Sequence, residues 1–263
     1  PGGTDQVNTL NDDDRLTGTS ATNDRLEFDF VNDADTGDHN IVPTMNGIEI
    51  AEVQFSLDGT AVLDLQDSSG FTTVNLHRID DGATAIIDNI TEATTNNLSI
   101  NDSNAPDADV AFTYLNTALT GTTDAVTLTL NNAQVEDVSV EESGDDGSLN
   151  QGFETFNLVS SGATNHMNSL SAEDAQTLVI SGDQDLSIFG TADIFSDVGG
   201  NRLVEGTATT GGLLHMAGSL TKIDASALKG NLAINLNDVL HATKDGTSGT
   251  DVAVSVIGGE GDD

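Results

Sequence analysis

Carboxylates crowd the turns of this sequence. "NDDDRLTG" holds Asp12, Asp13 and Asp14, "NDADTGD" holds Asp33, Asp35 and Asp38, and "NDSNAPDAD" holds Asp102, Asp107 and Asp109. "EESGDDGS" adds Glu142, Asp145 and Asp146, and "SGDQDL" adds Asp183 and Asp185. Calcium takes about six to eight oxygens, from carboxylates and backbone carbonyls in flexible turns, so these residues are candidate ligands. For any one cluster the plain alternative is a solvated acidic loop. Repulsion between close carboxylates favours a bound cation in at least two of them. Asp33 opens an EF-hand-like spacing, but Thr44 stands where the closing Glu would fall. Asp224 in "IDAS" reads as a turn or capping residue. The ending "GGEGDD" contributes Gly259, Gly261 and Asp263, the opening half of the calcium nonapeptide G-G-x-G-x-D-x-U-x. In that motif each ion sits between successive turns. Half a repeat is therefore expected to leave this end frayed, with calcium held mainly in the internal acidic turns.

Other chemistries find little support. His39, His77, His166, His215 and His241 stand alone, without H-E-x-x-H or paired-histidine spacing, and no G-x-S-x-G elbow occurs. Saccharide-cleaving clefts use aromatic platforms, whereas this chain has one tyrosine, Tyr114, and no tryptophan. Phe28, Phe30, Phe156, Phe189 and Phe195 fall in alternating runs and read as core. The chain is expected not to be an enzyme; a secreted polysaccharide-active enzyme is the third reading.

Composition narrows the partners. Forty-four acidic residues against seven basic ones give a net charge of −37, which repels nucleic acid and anionic membranes and attracts cations. Disorder would suit so acidic a chain, but 36% of its residues are hydrophobic and they recur in ordered runs. Adaptation to high salt is compatible with the same charge. With no cysteine there is no disulfide staple, and bound metal is the usual substitute outside the cell. No apolar run is long enough to span a membrane. The start "PGGTDQVNTL" lacks an initiator Met and a signal peptide, and the end falls inside a repeat. Both suggest a segment of a longer polypeptide.

The elements that must position the acids are strands. Val126, Leu128 and Leu130 alternate with polar residues, as do Val74 and Leu76, Phe156 and Leu158, Leu178 and Ile180, Leu232 with Ile234 and Leu236, and Val252 with Val254 and Val256. Helical periodicity is confined to "PDADVAFTYLNTAL" (106–119) and "NDVLHAT" (237–243). "LTGTSATNDRLEF" and "LTGTTDAVTLTL" share Leu-Thr-Gly-Thr, an Asp, then a strand, and "LTKIDASALKGNLAINL" gives two strands around a compact corner. The expected class is all-β: an elongated parallel solenoid-like body with short helical insertions, the alternative being β-sandwich domains. Few aromatics and recurring Asn and Thr within strands favour the solenoid. Residues 1–118 read as a β-rich segment, 119–257 as a solenoid segment and 258–263 as the start of a calcium repeat.

"GFETFNL", "TLVISGDQDLSIFGTA", "LTKIDASALKGNLAINL" and "VSVIGGEGDD", in that order, resemble bacterial surface-layer proteins of the RTX type. The likeness covers about residues 120–263; the first hundred residues match in style only. It implies a right-handed β-solenoid, calcium-dependent self-assembly into a lattice, and type I secretion to the surface of a Gram-negative cell. A region outside this segment would bind the cell-surface polysaccharide. The chain departs from the family pattern in holding only the start of one nonapeptide, so the calcium block and the secretion signal would lie beyond Asp263. The runner-up reading is a calcium-stiffened segment of an RTX adhesin or biofilm-matrix protein.

Overall fold

Alternating apolar residues bounded by Gly, Asn and Asp form strands throughout the computed structural model, which describes residues 8, 10–31, 39–143, 152–172, 175–189, 212–214, 219–236 and 253–261. The strands are β1 (Arg15–Thr17), β2 (Arg25–Val31), β3 (His39–Ile41), β4 (Thr44–Asn46), β5 (Ile50–Ser56) and β6 (Gly59–Asp64). Then come β7 (Thr73–His77), β8 (Ala83–Ile90), β9 (Asn97–Ala105), β10 (Asp109–Tyr114), β11 (Ala125–Glu142), β12 (Thr155–Ser161) and β13 (Asn165–Ser171). The last are β14 (Thr177–Gly182), β15 (Leu186–Ile188), β16 (Gly212–Leu214), β17 (Lys222–Leu228), β18 (Leu232–Ile234) and β19 (Ser255–Ile257). Among the described residues there is no helix.

Every strand pairing among the described residues is parallel, and strands return into register after one circuit of the chain. A first ladder sets Arg25 of β2 level with Ile50, Thr73, Asn97, Thr127, Asn157, Val179, Asp224 and Ile257 of β5, β7, β9, β11, β12, β14, β17 and β19. A second sets His39 of β3 level with Ala61, Ala85, Val110, Val138, Leu170 and Leu213 of β6, β8, β10, β11, β13 and β16. A short third column runs Asn104, Gln134, His166, Ser187, Ala233 through β9, β11, β13, β15 and β18. The hairpins of a β-sandwich would pair antiparallel, and none is seen. The first ladder runs without interruption across residues 118 and 119, through β9 and β11.

Registered stacking makes the core. Ala51, Val74, Leu98, Leu128, Leu158 and Ile180 form one inward column, and Ile41, Leu63, Ile87, Phe112 and Val140 form another; all are buried. Phe30 stacks on its register partner Phe55 with ring centroids 5.1 Å apart. Each such side chain contributes about 1.5–3 kcal/mol by leaving water. Asn165 is a fully buried polar residue. Its Nδ2 donates to Ser160 Oγ, Ser161 O and Ala163 O, and its Oδ1 accepts from the Ala133 amide, so its burial costs little.

The bend from the first ladder to the second is a column of left-handed residues: Arg78, Asp102, Asn132 and Gly162, with φ of 46°, 49°, 56° and 76°. They directly follow the register partners His77, Asn101, Asn131 and Ser161. Asn and Asp tolerate this region better than most residues. At Gly162 a Cβ would also lie 2.0 Å from Asn131 Oδ1, so a larger residue there would have to displace that side chain.

Several expectations are corrected. The segment 106–119 is not helical: Val110, Phe112 and Tyr114 alternate inward along β10, so period two prevails there. The other helical candidate, 237–243, lies outside the described residues. "LTKIDASALKGNLAINL" does give two strands, β17 and β18, but "DASAL" belongs to β17, whose register slips against β14, so the corner shrinks to residues 229–231. Val256 faces the same way as its buried partner Ile223 yet is 51% exposed, because among the described residues β19 has a neighbour on one side only.

Leu128→Ala is expected to cost about 2–5 kcal/mol in chemical denaturation, against under about 1 kcal/mol for the outward Thr127→Ala. Asn132→Val should cost about 1–2 kcal/mol from the left-handed backbone, with Asn132→Gly close to neutral.

Candidate cation-binding surface

Among the described residues, Asp12, Asp14, Asp102 and Asp185 work as hydrogen-bond acceptors that hold their own chain together. Asp12 Oδ1 accepts the Val42 amide at 2.8 Å, and Asp14 Oδ2 accepts the Asn11 amide at 3.0 Å. Asp102 belongs to the left-handed column, where Asn132 Nδ2 donates to its Oδ1 at 3.1 Å. Asp185 Oδ1 accepts the Asn231 amide from the following circuit at 2.7 Å, while Asp183 is exposed beside Gln184. Asp33, Asp35, Asp38, Asp145, Asp146 and Asp263 lie outside the described residues.

The two Leu-Thr-Gly-Thr segments share a device. Asp24 takes the Thr19 amide and Asp124 the Gly121 amide on their carboxylates. Their own amides then donate to Glu49 and Glu154, one circuit on, at 2.9 and 2.8 Å. The recurring Asp is a corner brace ahead of β2 and β11.

Only Asp107 and Asp109 join a true carboxylate cluster, and its other members come from a different part of the chain. Asp109 of β10 is level with Asp137 of β11, one residue before the Val110–Val138 pair. Burial raises the Asp109 carboxyl above its ordinary value, and the Asp137 charge adds to the rise. Glu136 is raised as well, by burial and then by Asp109, Asp137 and Asp107. Ser169 Oγ donates to Asp137 at 2.5 Å. At the other edge of the same face Asp64 and Asp88 are register partners. Burial raises Asp88, with Asp64 contributing. There the Asn89 side-chain amide lies between the two, 3.0 Å from Asp64 Oδ2 and 3.2 Å from Asp88 Oδ2, a neutral bridge where a cation would fit electrostatically. Sequence inspection missed Asp64, Asp88, Glu136 and Asp137. Their signal is recurrence of an acid at one-circuit spacing, 64 to 88 and 109 to 137, masked by unequal circuit lengths. Carboxylates of this kind are calcium's preferred donors, although no three His, Asp or Glu side chains among the described residues converge as a ready-made metal site.

Ion pairs among the described residues all lie on the first ladder's outward face. Arg25 reaches Glu52 at 3.3 Å and Glu27 at 4.0 Å, His77 Nε2 lies 2.5 Å from Glu52, and Lys222 lies 2.7 Å from Asp224. Hydrogen bonds from Lys222 and Ser226 hold the Asp224 carboxyl down to about 2. A shallow groove of about 500 Å3 runs between Arg25, Glu27, Asp29, Glu52, His77 and Arg78. From Glu52 a chain of polar contacts crosses successive strands: Asn75 at 3.0 Å, Ser99 at 2.6 Å, Asn101 at 2.7 Å and Asn131 at 3.4 Å.

Gly259 and Gly261 have a structural reason to be glycine. A Cβ on Gly259 would lie 2.6 Å from Leu228 O, and one on Gly261 would lie 2.4 Å from Gly230 O. The Glu260 amide donates to Leu228 O at 2.9 Å, so this stretch stacks on the preceding circuit. Comparison with protein-family models, curated proteins and solved structures finds no significant match to the chain.

The raised carboxyls define a pH dependence. Asp88, Asp109 and Glu136 hold protons more tightly folded than unfolded. Their contribution is fully present below the ordinary values of 3.8 for Asp and 4.5 for Glu, and is lost as pH rises through the higher folded-state values. In chelator, these three groups should therefore add stability as the pH is lowered toward the ordinary carboxylate values, which calorimetry reads as a higher melting temperature. Asp64→Asn with Asp137→Asn should flatten that rise in calorimetry.

Proposed function

We propose that this chain is a structural segment of a secreted bacterial cell-surface protein: a right-handed β-solenoid, stiffened by calcium, that assembles with copies of itself into a surface layer. The observation that supports it most is the stacking of carboxylate on carboxylate along the second ladder, Asp64 over Asp88 and Asp109 over Asp137 beside Glu136, with no basic partner for these acids among the described residues. Like charges at strand spacing of about 4.8 Å oppose the fold that aligns them. A divalent cation drawn between successive circuits would turn that repulsion into a cross-link, whereas monovalent salt only screens it. Asp107, Asp109, Glu136 and Asp137 would hold one such ion and Asp64 with Asp88 another. The order of motifs from "GFETFNL" to "GGEGDD" supports the surface-layer assignment.

Calcium should raise the melting temperature over chelator by about 5–10 °C for each site filled to a hundred times its Kd, sodium chloride giving only part of that shift. Equal melting temperatures in calcium and chelator would remove calcium from the account. Electron microscopy should show periodic sheets with calcium and none with chelator; dispersed particles in both would remove the lattice.

A further inference from the structure

We infer that the outward face of the first ladder, from β7 to β14, is the contact surface for a second copy of this chain, packed face to face and antiparallel about a two-fold axis. This rests on the self-assembling reading above and names the surface it would use. Along β7, β9, the first half of β11, β12 and β14 the outward positions alternate with buried ones, as Thr73, Asn97, Thr127 and Asn157 do. None of those outward positions is Asp, Glu, Lys or Arg, and His77 is the one titratable group among them. A chain with 44 acidic residues and a net charge of −37 repels its own copies nearly everywhere else. Here it does not.

A two-fold axis brings one pair of opposite charges at the ends of this face together. Arg25, Glu27 and Asp29 stand on β2 and Glu52 on β5 at one end, and Lys222 and Asp224 on β17 at the other. An axis between β9 and β11 sets β2 against the second copy's β17. Arg25 and Asp224 stand level in the ladder, so Arg25 then meets the second copy's Asp224, a contact made twice. The face is also held in place beforehand. The contacts from Asn75 through Ser99 and Asn101 to Asn131 fix side chains that docking would otherwise have to order. Eight strands about 4.8 Å apart and about five residues long offer roughly 600 Å2 per copy. That is short of the ~800 Å2 per partner of a stable complex. Such a contact is weak singly and effective when repeated in an array. A neutral glycan is the other occupant the chemistry allows, but none of the outward positions from β7 to β14 is Phe, Tyr or Trp for a sugar to stack on.

Sedimentation equilibrium of the whole chain in calcium, over a wide concentration range, reads the contact. Thr129→Glu at its centre should weaken association about tenfold or more, while Ala111→Glu, outward on the second ladder, should not. Both variants must keep the parent's circular dichroism and melting temperature. As a second measurement immune to misfolding by a buried charge, Thr129→Cys in this cysteine-free chain should cross-link to dimer with a short bis-maleimide, and Ala111→Cys should not. Facing sheets lie about 10 Å apart, too far for a direct disulfide. Association that survives Thr129→Glu, or falls equally with Ala111→Glu, overturns this face and leaves self-assembly standing. A parent chain that stays monomeric throughout overturns both. Retention on immobilised dextran that Thr129→Glu abolishes, with association unchanged, overturns the second copy in favour of glycan.

Discussion

Parallel register is the constraint on which the rest of this molecule depends. Each strand donates and accepts its backbone hydrogen bonds with the strand one circuit earlier and one circuit later, so each side chain sits about 4.8 Å from the residue at the same height in its neighbours. Like is forced onto like. Inward, that places Val74, Leu98, Leu128 and Leu158 in one dry column. Outward, the same rule joins Asn101 to Asn131 and Asn75 to Ser99 through their side chains. Apolar and amide columns gain from this repetition.

Acidic columns lose by it, and there the fold meets its own charge. Asp64 over Asp88 is eased by the Asn89 amide and by the Gln66 amide on Asp64. Asp109 over Asp137 has Ser169 on Asp137 but still shares its neighbourhood with Asp107 and Glu136. Burial, with repulsion from neighbouring carboxylates, raises the affinity of Asp88, Asp109 and Glu136 for a proton, and the same field attracts a divalent cation. Elsewhere the chain spends its acids on geometry. Asp24 and Asp124 brace corners, Asp14 closes a turn on Asn11, Asp12 holds the distant Val42 amide, and Asp185 holds the next circuit's amide. An acidic turn in this protein is therefore two different things, a backbone acceptor or a charged column, and only the neighbouring circuit distinguishes them.

The corners show how a coil of unequal circuits stays in step. The bend between the ladders keeps one left-handed residue per circuit from Arg78 to Gly162 while the circuit length changes from about 24 to about 30 residues, and the extra residues are absorbed elsewhere. Close approach then selects glycine at Gly259 and Gly261, where a Cβ would collide with backbone carbonyls of the preceding circuit.

The sequence by itself determined the class, the strands and the inward face. Alternation at Val126, Leu128 and Leu130, or at Phe156 and Leu158, is a local signal, because the two-residue period of a strand is set by its own backbone. It determined the repeated corner too, since Leu-Thr-Gly-Thr with a following Asp is written twice. What it did not determine is which side chains meet. "NDSNAPDAD" reads as one acidic cluster, yet Asp102 turns a corner while Asp107 and Asp109 belong with Glu136 and Asp137, about 28 residues on. Val110, Phe112 and Tyr114 share a helix-compatible stretch that the ladder holds as strand, because β8 and β11 on either side supply the hydrogen bonds that a lone segment lacks. Register is a property of paired strands, and circuits of different lengths leave no fixed period from which to read it. The charged column, the uncharged face and the reason for each glycine thus exist only once one circuit is laid on the next.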